Sequence, residues 1–173
     1  MSIELRIVKY FNDFGRGKID FFTETVSNIS VIGAFWISAV ALIFWFFPAS
    51  REVLIGRVII VTILHFSISE LFFKHFLPCF VEFRKRPFLE YPDQIIPVGR
   101  QLSYGSMPSS HVSSTAAMLS VLVSVAPFLF WPALFLLALM SFIRLHNGMH
   151  YPLDILVGAA LGFAYGIISV LIF

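Results

Sequence analysis

Charge is what this sequence has least of. Of 173 residues, 13% are charged and 58% are hydrophobic. Mean hydropathy is +0.88. A water-exposed globular surface needs far more ionic cover, so an ordinary soluble domain is excluded. The net charge of +2 is too small to track a nucleic-acid backbone. Cysteine is nearly absent: Cys79 alone cannot form an internal disulfide, and it leaves the redox compartment unreadable. No cleavable signal is legible, since the first apolar run is long and lacks a small-residue cleavage site.

What is abundant is phenylalanine, 21 residues, in apolar runs near the ~18–20 residues that cross a bilayer. The runs predict spans at 27–48, 53–77, 108–125, 128–144 and 152–172. Arg57 lies one turn inside the second and can snorkel. Residues 1–25 are too charged to span. Ile3, Ile7, Tyr10 and Phe11 fall at helical spacing, so this segment reads as an amphipathic interfacial helix, broken near Gly15 and Gly17. The expected fold is all-α: a polytopic membrane helix bundle of about five spanning helices plus the interfacial one. By length, residues 1–173 form a single domain.

The long polar segment 78–107 contains Pro78, Pro87, Pro92 and Pro97 with Arg84, Lys85, Arg86 and Arg100. A connection of this length is functional or disordered, and its aromatic content argues against disorder. Counting crossings puts Arg84, Lys85, Arg86, Arg100, Ser109, His111, Arg144, His146, His150 and Asp154 at one membrane face. The other face has little besides Arg51 and Glu52.

Two short stretches at that face carry chemistry. In "MPSSHVSS", 107–114, a proline suits the first turn of a helix. The amides of Ser109, Ser110 and His111 would then form an anion site, with the Ser109 and Ser110 hydroxyls beside it. A plain helix cap with a surface histidine is the simpler alternative. In "HYPLD", 150–154, Pro152 opens a helix and Asp154 can reach back to His150, fixing which ring nitrogen carries the proton. The alternative is a capping carboxylate beside an interfacial histidine. His146, His150 and Asp154 at spacings of four invite a metal site. Tyr151-Pro152 interrupts the helix that would align them, and Arg86 and Arg144 disfavour a cation. Guanidinium groups beside free helix amides match a phosphate. Gly158, Gly162 and Gly166 form a small-residue stripe for helix packing.

These residues resemble a known family. Arg144, His150 and Asp154, separated by five and three residues, resemble the third signature of the type-2 phosphatidic acid phosphatase superfamily. "PSSH", 108–111, resembles the second, and Arg86-Pro87 the end of the first. The chain departs from the family where its motif lysine falls on Cys79; Lys74, Arg84 and Lys85 are the possible substitutes. Ser110 stands for the usual glycine and Ile143 for the usual serine. The resemblance implies a metal-independent phosphohydrolase without cofactor, acting on a lipid phosphate in the bilayer. His150 would be the nucleophile, Asp154 its orienting acid and His111 the general acid and base. Arg86, Arg144, Ser109 and Ser110 would bind phosphate. Among small bacterial members the chain looks most like the lipid A 1-phosphatase group. Undecaprenyl pyrophosphate and phosphatidylglycerophosphate are also possible substrates. The relatives imply the periplasmic face of a bacterial inner membrane, against the positive-inside rule. A lipid-to-lipid phosphotransferase with the same site, a lipid or anion transporter, and a helix-packing scaffold are the rival readings.

Overall fold

A computed structural model describes residues 1–101 and 105–173 and is helical, with no strand among the described residues. It is a polytopic bundle. Helices α1 (Ile3–Asp13) and α2 (Asp20–Val26) precede α3 (Ile29–Phe46). Helix α4 (Arg51–Leu64) continues as a π-helical segment, His65–Phe76. Short α5 (Pro87–Glu90) interrupts the polar connection. Then come α6 (Ser110–Val125), α7 (Phe130–His146) and α8 (Pro152–Ile172).

Four stretches are long and apolar enough to cross a membrane: Ile29–Phe46, Pro48–Cys79, Pro127–His146 and Pro152–Ile172. The fifth expected span, α6, is apolar but shorter, and it is buried along most of its length. Large apolar side chains such as Trp45, Trp131, Phe135, Leu156 and Leu171 face outward, as hydrocarbon solvent allows. Arg57 does not snorkel freely; its Nη1 donates to Ser124 Oγ at 2.7 Å.

The bundle is centred on α6, which packs most extensively against α8. The glycine stripe is the reason. A Cβ at Gly158 would lie 2.6 Å from the Ser109 carbonyl oxygen, and one at Gly162 would lie 2.3 Å from that of Ser113. Only hydrogen at these positions lets the two backbones meet. The stripe therefore has a chemical consequence that its spacing alone did not reveal: it brings the start of α6 against the start of α8.

The N-terminal segment breaks where the sequence indicated, with positive φ at Gly15 and Gly17. Its packed face overlaps the expected one, with Ile7 and Phe11 against the core, but is shifted. Ile3 and Tyr10 are exposed, while Leu5, Val8 and Asn12 are buried. The cause is docking onto protein: α1 lies against α7 and α8. Asn12 Nδ2 donates to the carbonyls of Ile96 and His146 at 2.9 and 2.6 Å, and Asn12 Oδ1 accepts from the Ile96 amide. Leu5 and Val8 share a core with Phe88, Ile95, Val112, Met149, Tyr151 and Ile155.

Candidate active site

The α7–α8 connection supplies half the site. Helix α7 ends at His146, and Gly148 turns the chain with φ 67°, a conformation that glycine adopts without strain. Pro152 opens α8, and the Tyr151 amide donates to Asp154 Oδ2 at 2.8 Å, closing the helix start. His150 is thereby held just outside the helix, 1% exposed.

Two contacts fix the His150 tautomer. Its Nδ1 lies 2.7 Å from the Ser106 carbonyl oxygen, which only accepts, so Nδ1 carries the proton. Arg86 Nη1 lies 3.3 Å from Nε2 and is a donor, so Nε2 presents a lone pair. Asp154 is not the direct hydrogen-bond partner expected from sequence. Its Oδ2 stands 3.9 Å from His150 Nδ1 and is engaged by the Tyr151 amide. Asp154 Oδ1 accepts from Arg84 Nη1 at 3.1 Å. Burial holds the His150 imidazole well below its ordinary range; Arg144, Arg86, His111 and Lys74 push it the same way. The ring is neutral at neutral pH, with an unprotonated Nε2 facing Arg86 Nη1.

The other half comes from α6 and the polar connection. The helix begins at Ser110, not at Pro108, and Ser109 is its cap. The Ser109 amide, expected to be free, donates to the Asp154 carbonyl at 3.0 Å. The first-turn amides that lack intrahelical partners thus begin at Ser110 and include His111. The hydroxyls of Ser109 and Ser110 are buried without hydrogen-bond partners. His111 Nε2 donates to the Ser27 carbonyl at 2.9 Å, tying α6 to the chain before α3.

Three cations converge here. Arg144 is 4% exposed and its Nε has no partner. Arg86 is 1% exposed and also donates to the Met149 carbonyl at 3.2 Å. Burial lowers its guanidinium to about 10, so it stays charged at neutral pH, helped by Asp154 and Glu70. Lys74 is the third. Its charge acts on Arg86, Arg144, His111 and His150.

The three candidates for the missing lysine separate cleanly. Cys79 is exposed, with its thiol on the His75 carbonyl. Lys74 faces the cation cluster from five residues upstream. Five residues is the hydrogen-bond step of a π-helix, and Lys74 lies in the π-helical segment. Lys85 is exposed. Arg84 stands behind Asp154, hydrogen-bonds Glu4 and lies with Cζ 3.9 Å from the Tyr151 ring centroid. It is held on Asp154 and Glu4.

His146 lies apart from the cluster. Its ring nitrogens face the Phe11 carbonyl and Asp20 Oδ1, each at 3.0 Å, so it fastens α1 and α2 to α7. Sequence reasoning missed Ser106, Glu4, Glu70 and His65. Ser106 acts through a carbonyl, which no side-chain pattern reports. Glu4 is remote in sequence from the site. Glu70 and His65 did carry a signal, as ionisable groups within an apolar span.

The arrangement suits a tetrahedral oxyanion: three cations, helix amides and unpartnered hydroxyls around one nucleophilic nitrogen. A family model described as PAP2 superfamily matches residues 58–173. No match is found among curated proteins. The fold is similar to the crystal structure of Aquifex aeolicus LpxE, with a TM-score of 0.66 at 24% identity. That alignment covers 98% of this chain and 96% of the other.

Proposed function

The chain belongs to the PAP2 superfamily of phosphatases, and from that premise we propose that it hydrolyses a lipid phosphate through a phosphohistidine on His150. The observation that carries this reading is the His150 imidazole, neutral and with Nε2 unprotonated and facing Arg86, near Arg144 and the unpartnered Ser109 hydroxyl.

In the first step Nε2 attacks phosphorus in line, the P–O bond to the lipid breaks, and His111 protonates the leaving oxygen. His111 Nε2 donates its proton to the Ser27 carbonyl, so Nδ1 first takes up a proton brought by the incoming phosphate group and then passes it to the leaving oxygen. In the second step His111 takes a proton from water, the resulting hydroxide attacks the phosphohistidine, and phosphate leaves with His150 restored. Arg86, Arg144, Lys74, the Ser109 and Ser110 hydroxyls and the first-turn amides of α6 hold the phosphoryl oxygens. Catalysis is then positioning and charge stabilisation. Asp154 supports the imidazolium character of His150 while phosphorus is attached. The three cations supply the charge that a metal would otherwise bring, so the reaction is metal-independent.

The bilayer places lipid tails beside the helices and the headgroup at the polar connection. Compact size and the basic connection favour lipid A 1-phosphate, with undecaprenyl pyrophosphate or phosphatidylglycerophosphate as the other members of the panel. The site faces the periplasm of a bacterial inner membrane. The decisive experiment is phosphate release from these lipids in detergent, with and without EDTA. Release unaffected by EDTA and abolished in His150→Ala is expected. Full activity in that variant, or strong EDTA inhibition, overturns the mechanism. Phosphate appearing only when an acceptor lipid is added would make it a transferase. For sidedness, Asp93 is exposed in the polar connection. Asp93→Cys in a Cys79→Ser background should react with an impermeant thiol reagent from the periplasm alone.

A further inference from the structure

We propose that Glu70 is a positioning residue that holds Lys74 on the phosphate site, an inference that rests on the phosphatase reading above. An acidic side chain within a membrane span is costly and is retained for a reason. Glu70 lies in the Pro48–Cys79 span, on the π-helical segment. Both of its oxygens accept from Lys74 Nζ, at 3.0 and 3.3 Å. A bidentate grip of this kind leaves the ammonium little freedom.

Lys74 needs such a hold. Its nearest charged company on the site side is Arg86 and Arg144, both of like sign. Three clustered cations repel one another in a low-dielectric interior. Without a counter-charge the flexible lysine is the one able to swing away, because both guanidinium groups are buried. Glu70 supplies the negative charge that offsets that repulsion.

Glu70 is itself anchored. His65 Nε2 lies 3.9 Å from its Oε1, and His65 Nδ1 lies 2.9 Å from Ser113 Oγ on α6. The Ser69 hydroxyl, fully buried, joins Ser113 Oγ at 3.0 Å and the Tyr165 hydroxyl on α8 at 2.9 Å. This hydrogen-bonded run fixes the π-helical segment against the two helices that carry the catalytic groups. The Ser110 hydroxyl faces Glu70. The motif lysine that is missing at Cys79 is thus replaced by a pair: a cation one π-turn earlier and the carboxylate that aims it.

The test is a double-mutant cycle on binding of inorganic phosphate to the full chain in detergent, measured by calorimetry. Glu70→Gln keeps the shape and removes the charge. It should weaken phosphate binding about 10–100-fold, the range for losing a hydrogen bond to a charged group. In a Lys74→Met background the same change should cost nothing further. With lipid substrate, Glu70→Gln should raise KM more than it lowers kcat. An equal loss of affinity in both backgrounds, or none in either, overturns the proposal. If Glu70→Gln does not fold, Glu70→Asp takes its place under the same criterion. Because the cycle reads phosphate binding, it stands apart from turnover. A wild type that binds phosphate but releases none from lipids defeats the phosphatase reading and leaves the positioning result standing.

Discussion

Arg84 Nη1 lies 3.1 Å from Asp154 Oδ1 and connects that buried carboxylate to Glu4 near the start of the chain. Arg84 and Arg86, two residues apart, therefore do opposite work. One pairs with Asp154 from behind, and the other faces His150. Arg84→Gln should lower kcat roughly 10–100-fold, as loss of an orienting partner does elsewhere, with KM little changed. Glu4→Gln should act in the same direction and more weakly. Arg144→Gln should instead damage KM and kcat together. Steady-state kinetics on a lipid phosphate checks the contrast.

The Ser106 carbonyl predicts a mild phenotype at a residue that usually gives a severe one. Where a carboxylate alone sets the histidine tautomer, its amide variant loses about 10⁴ in kcat. Here the carbonyl holds Nδ1–H at 2.7 Å. Asp154→Asn should therefore lose only about 10–100-fold. Measured kcat near the lower end of detection would show that Asp154 sets the tautomer after all.

The pH profile carries a sign. Burial and the surrounding cations hold His150 below its ordinary 6.5, and the reactive form is the neutral one. Activity is thus retained as pH falls through 6.5 and is lost only at lower pH, where Nε2 becomes protonated. The acid limb of kcat/KM, which reports the free enzyme, should lie below 6.5. Removing positive charge in Arg144→Gln should move that limb upward.

Much of this site was legible before the coordinates. "PSSH", Arg86-Pro87 and the Arg144–His150–Asp154 spacing named residues that do converge, because crossing number alone puts them at one face. The start of α8 at Pro152 was also readable, since proline and a following carboxylate are local signals. What was illegible depends on backbone atoms and long-range packing. The Ser106 carbonyl and the tied Ser109 amide leave no trace in side-chain identity. Lys74 could not be chosen over Arg84 and Lys85 because the sequence spacing presumed ordinary helical geometry. The π-helical segment shifts that register. On α1 the apolar spacing picked out Ile7 and Phe11, which do pack against the core, but it could not show that Leu5 and Asn12 bind protein while Ile3 and Tyr10 face outward.

The α6–α8 seam gives a stability prediction. Gly162→Val places carbon 2.3 Å from the Ser113 carbonyl oxygen, where backbone must shift. A loss of about 1–3 kcal/mol is expected for overpacking, read as a lowered Tm in detergent. Activity per folded molecule should fall too, since the same contact sets the distance from Ser109 to Asp154. An unchanged Tm would mean that the seam yields freely.

The same seam is a closed door. An alkyl chain is about as wide as the spacing between two carbon atoms in van der Waals contact, ~4 Å. Backbones that would admit no methyl group admit no hydrocarbon tail. A lipid approaching sideways through the bilayer thus has no passage between α6 and α8, although both helices carry the groups it must reach.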